Sequence, residues 1–215
     1  MNNNYCLNAQ TNLLVGLLIL TSSLLSLTKV AHAEEVLPFS GIAFTSERSV
    51  ARNSLPFSIR SIGNLEVSPN EFVQNLNSAT NGVKLKNGAI LSSTRMNNLQ
   101  LGQNLVLALA IEKENMKTTT LSISQYQLTF NLDVQVLVFN FREKSIVAAH
   151  PIRMTLLNVL GRKPQEQDRK DLARAMFFGD PQQVIFEDLP RSYLIENFVS
   201  TIQSITIKPA WRSQI

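Results

Sequence analysis

The chain has 215 residues, 20 lysines and arginines against 16 aspartates and glutamates, a formal net charge of +4, and one cysteine. Its basic residues are scattered, with no run longer than Arg162-Lys163 or Arg169-Lys170, which excludes the basic tract of a nucleic-acid binder. The sole cysteine, Cys6, precedes the first apolar run, so a domain beginning after that run has no disulfide, thiol nucleophile or thiolate metal ligand.

Residues 13–27 form an apolar run that Thr21, Ser22 and Ser23 interrupt and that falls short of the roughly 20 residues needed to span a bilayer. Ala31-His32-Ala33 then places small residues where a signal peptidase reads them. The expectation is a signal peptide over residues 1–33, cleaved after Ala33, and a single domain over 34–215 that is periplasmic or secreted and has no stable membrane span. Residues 1–12 contain no lysine or arginine, so a retained anchor is the alternative. Cys6 lies upstream of the apolar run, which argues against lipidation at the cleavage site. An exported domain without cysteine or an N-x-[ST] sequon suits a bacterial envelope.

Residues 36–39 and 56–59 suit edge strands, because Pro38 and Pro56 lack the donor that a central strand needs. Ser68-Pro69-Asn70-Glu71 has the pattern of a helix start, with Ser68 as N-cap and Glu71 as its capping-box partner. Phe72, Val73, Leu76 and Ala79 continue it at helical spacing as far as Asn81-Gly82. A second Asn-Gly pair at 87–88 brackets residues 83–86 as a small exposed strand between two turns. The run 105–111 suits helix or strand by propensity, and its shortness and its lead towards the next segment favour strand, with Thr118, Thr119 and Thr120 in a loop or strand end.

The longest signal in the chain follows. Tyr126, Leu128, Phe130, Leu132, Val134, Val136 and Val138 alternate with polar residues, the period of a strand buried on one face. Leu137, Phe139 and Phe141 make the other face apolar towards its end, which predicts cover on both sides there and a central place in the sheet. Arg142 to Ser145 is a polar break, and Ile146 to Ala149 with Ile152, Met154 and Leu156 read as the returning strand of a hairpin. Pro164, with Glu166, Asp168 and Asp171 near its start and Leu172, Ala175 and Met176 on one face, predicts a helix closed at Gly179-Asp180-Pro181. A second helix is expected over 191–204 on Leu194, Phe198, Ile202 and Ile205, with a final strand at 205–207. Strands first and helices behind give an α+β domain, a mainly antiparallel sheet with helices packed on one face.

The hairpin over 126–156, with its charged turn, resembles the sheet hairpins of exported bacterial envelope proteins of the TolB amino-terminal and curli-secretion type. The resemblance spans about thirty residues and implies an envelope location. It carries no functional residue across, and the lipidated cysteine of those proteins is missing.

No catalytic, cofactor-binding or metal-binding residue emerges from the motifs. G-x-S-x-G, H-E-x-x-H and the glycine-rich phosphate loops are all absent, so no cofactor is implied. His150 is the only histidine after residue 33 and is expected at a strand end, and Glu112 with Glu114, Asp168 with Asp171, and Glu187 with Asp188 suit loop or helix-start charges. The expected function is therefore that of a non-enzymatic, exported envelope or secretion-system accessory. It would bind another envelope protein through a strand edge or the Asn-Gly hairpin. The alternative is an exported hydrolase using acidic residues, or His150 with a serine, which requires those groups to converge in a pocket.

Overall fold

The structure, a computed structural model of the chain, describes residues 35–45, 48–62, 71–93, 105–179, 192–208 and 211. Its elements in chain order are β1 (Val36–Phe44), α1 (Arg48–Ser54), α2 (Pro56–Ile62), α3 (Glu71–Thr80), β2 (Ile90–Ser92), β3 (Leu105–Thr120), β4 (Tyr126–Asn140), β5 (Ser145–Leu160), α4 (Glu166–Phe178) and α5 (Tyr193–Ser204). The five strands form one sheet in the order β2-β1-β3-β4-β5. β1 runs parallel to both of its neighbours, and β3, β4 and β5 form an antiparallel meander. The domain is thus α+β with a mostly antiparallel sheet.

The alternation in β4 sets the two faces. Leu128, Phe130, Leu132, Val134, Val136 and Val138 are all buried, and the intervening residues are half-buried. The buried set meets Leu172, Met176 and Phe177 of α4, Leu194, Phe198 and Ile202 of α5, and Phe72 and Leu76 of α3 in one core. Each such side chain contributes about 1.5–3 kcal/mol through burial. The opposite face is polar along its middle: Arg153 bonds Asp133 at 2.8 Å, Thr155 bonds Asn131 at 2.8 Å, and Gln135 donates to Glu112 at 2.8 Å.

The hairpin of β4 and β5 lies where the alternation places it, but the cover over its turn does not. Leu137 and Phe139 are only half-buried and Phe141 is 49% exposed, because no described helix reaches the outer face there. Strand β4 has the expected central place, with β3 on one side and β5 on the other. Strand β3 extends to Thr120, beyond the apolar run that predicts it, and takes the three threonines into the ladder with β4. It does so through a bulge at Glu112, opposite β4 between Val134 and Asp133, which switches the inward-facing residues of β3 from odd to even numbers.

Two proline expectations are overturned. The segment at Val36 is an interior strand, not an edge: Pro38 pairs with Ser92 of β2, and pairing with β3 begins only at Phe39, so the missing donor falls where β1 has a partner on one side. Pro56 opens helix α2 instead of a strand, at the position where a helix needs no N–H. Residues 83–86 do not form the expected exposed strand between two turns. Leu85 is buried, Lys84 bridges to Ile90, and the Lys86 N–H donates to the Ile205 carbonyl at 3.0 Å. Ile205 and Ile207 are buried but lie outside the sheet, so the final strand does not form. The helix start at Ser68 and the Asp180-Pro181 stop lie outside the described residues, as do residues 1–33.

Candidate protein-binding edge

Strand β5 is sixteen residues long and bonds to β4 on one side only among the described residues. Which of its backbone groups face the open side follows from Pro151. Proline has no N–H to give β4, so Pro151 and its partner Gln135 form a non-hydrogen-bonded pair and Pro151 faces outward. Across the sheet the same parity holds. The Ile111 carbonyl accepts the Thr45 N–H at 3.2 Å on the β1 side, so its partner Val134 turns its groups to Ile152 of β5. The ladder is regular from Pro151 to Leu160. Arg153, Thr155, Leu157 and Val159 therefore present their N–H and C=O groups outward.

The two halves of this edge differ. Before Pro151 the strand is bulged, between the pairs Val138 with Ala148 and Phe139 with Ile146. A bulge and a proline are devices by which edges avoid pairing. After Arg153 there is neither, and residues 154–160 carry no charge. Leu157 is 60% and Val159 50% exposed on the outer face.

The groups of the hydrolase alternative are dispersed. His150 lies within β5, not at a strand end; it is opposite Val136 on the inner face, and its Nε2 has no hydrogen-bond partner. Glu112 and Glu114 sit on either side of the sheet because Glu112 is itself the bulged residue. The Glu114 carboxylate caps α2, accepting the N–H of Phe57 at 2.7 Å and of Ser58 at 2.8 Å and the Ser58 hydroxyl at 2.6 Å. Burial pushes its pKa above the ordinary carboxyl value, against the opposing pull of these bonds and of Arg60. Asp168 takes a bidentate bond from Arg162 at 2.6 and 2.8 Å and accepts the Gln165 N–H at the start of α4. The Arg162 bond, first among these, holds its pKa below the ordinary range. Asp171 accepts the Gln167 amide, and the pair Glu187 and Asp188 lies outside the described residues.

A cleft of about 350 Å³ opens among α2, α3 and α4. It is lined by Arg60, Lys170 and Arg174 together with Glu71 and Asp171, charges of both signs, and His150 is not part of it. Among the described residues no three metal-ligating side chains cluster, and no helix is long and apolar enough to cross a membrane.

The chain matches no protein-family model and no curated protein sequence. Solved structures to which it is similar include rare lipoprotein B from Shewanella oneidensis, at 12% identity and a TM-score of 0.28 over 62% of this chain and 75% of that one. A minor lipoprotein from Acinetobacter baumannii aligns at 10% identity and a TM-score of 0.36, over 80% and 96%. A lipoprotein B from Nitrosomonas europaea aligns at 12% and 0.31, over 81% and 89%. These three are named as bacterial lipoproteins, not as proteins of the TolB or curli-secretion type.

Proposed function

We propose that the chain is an exported bacterial envelope protein, periplasmic or secreted, that acts by binding another envelope protein chain and not by catalysis. The observation that supports this most is the edge of β5: from Arg153 to Val159 it offers an unblocked row of backbone donors and acceptors beside exposed apolar side chains. Such an edge accepts an extended segment by strand addition, the main-chain bonds giving affinity and alternate side chains giving specificity. Dispersal of His150, Glu112, Glu114, Asp168 and Asp171 leaves the hydrolase alternative without a convergent pair among the described residues. Export rests on the apolar run 13–27 and on Ala31-His32-Ala33, with cleavage after Ala33.

Capture from envelope extract by the purified protein, compared with capture by a Thr155→Pro variant, tests the binding reading. The proline removes one outward N–H from the edge and no backbone bond from the β4 ladder, and Thr155→Val, which loses only the hydroxyl bond to Asn131, is the control. Loss of a captured protein from the variant is the expected result. Equal capture by both moves the interface elsewhere, and a hydrolytic activity that His150→Ala abolishes would favour the enzyme.

A further inference from the structure

We propose that the occupant of the β5 edge is a second copy of the same edge, paired antiparallel about a two-fold axis through Leu156. This rests on the binding reading above and names its partner. Four residues, Arg153, Thr155, Leu157 and Val159, carry the outward groups. A two-fold at Leu156 is the register in which all four pair with one another, Arg153 with Val159 and Thr155 with Leu157, each twice. The next outward residue on one side is Pro151, which has no donor, and on the other side the strand has ended at Leu160. Both ends of the seam are thus set by this chain's own sequence.

The side chains across the seam agree with that register. On the outer face Leu157 meets Thr155 of the copy, and Arg153, already held by Asp133, meets Val159, so like charges are never opposed. On the inner face the half-buried Leu156 meets itself, and the exposed Asn158 lies beside Met154. The seam joins two five-stranded sheets into one of ten and closes the edge without need of a gatekeeper charge.

Cysteine cross-linking of the full chain in a Cys6→Ser background tests the register, since no other cysteine is present. Residue 156 forms a non-hydrogen-bonded pair with itself, at a Cα separation of about 4.5 Å that a disulfide spans. Under mild oxidation Leu156→Cys is expected to give a covalent dimer. Arg153→Cys mixed with Val159→Cys should cross-link, whereas either alone should not. Leu157→Lys, a change at an exposed position, should weaken the dimer about tenfold in sedimentation equilibrium while leaving the melting temperature of the monomer unchanged. A protein that stays monomeric and does not cross-link, yet captures an envelope protein in an edge-dependent manner, would overturn the second copy and leave the binding reading standing. A monomer without edge-dependent capture would overturn both.

Discussion

Val136 is fully buried on the inner face of β4 between Leu109 and His150, so an aspartate there takes a carboxylate out of water into the apolar core, with only the imidazole of His150 facing it across the two neighbouring strands. Val136→Asp is expected to unfold the domain, whereas Gln135→Ala, which removes one exposed bond to Glu112, should stay within about 0.5 kcal/mol. His150→Ala should keep the fold, because its Nε2 bonds to nothing that the change would orphan. Thermal melts of the three variants decide this. Glu114 gives a second test: Glu114→Ala leaves the N–H groups at the start of α2 without an acceptor and should cost about 1–2 kcal/mol, the range for a lost cap. Since the folded carboxyl binds its proton more tightly than the unfolded one, its protonation contributes stability at low pH that is lost as the pH rises from 4.5 through the raised folded value. The margin of the native protein over Glu114→Gln should therefore shrink across that window in melts taken as a function of pH. Val136 was readable from alternation alone. The cap was not, because Glu114 and Ser58 are far apart in the chain and only the bulge turns Glu114 inward.

At the scale of elements, the parity of β5 separates two prolines. Leu157→Pro removes an outward donor and should lower the melting temperature by no more than about 4 °C, the shift that 1 kcal/mol produces in a domain of this size. Met154→Pro removes the bond to Leu132 and a buried side chain, and should destabilise several times as much. Equal effects would mean that the outward residues are misassigned. The long hairpin and helices α4 and α5 were legible because their periods of two and 3.6 are sustained, with stops at Gly179 and in the charged turn after Asn140. The interior place of strand β1 is hidden in the sequence, because Pro38 argues for an edge and nothing local shows that the pairing with β3 begins only after it. Pro56 equally suits an edge strand and the first turn of a helix, and the capping carboxylate that favours the helix comes from β3. The bulge in β3 left no trace, since residues 105–111 are apolar at odd and even positions alike.

At the scale of the whole molecule, the proposed export predicts a mature protein that begins at Glu34, read by the intact mass of protein purified from the producing cell. Recovery of the full chain in the membrane fraction would mean a retained anchor. Among the described residues the sheet is closed on one side of β5 and open on the other, and residue-resolved hydrogen exchange of the dilute monomer measures this directly. The Ile152, Met154, Leu156 and Asn158 amides, bonded to β4, should exchange slowly, and those of Arg153, Thr155, Leu157 and Val159 rapidly, becoming protected only when the edge is paired. Uniform protection of all eight amides in the dilute monomer would show that the edge is already covered and would contradict the account.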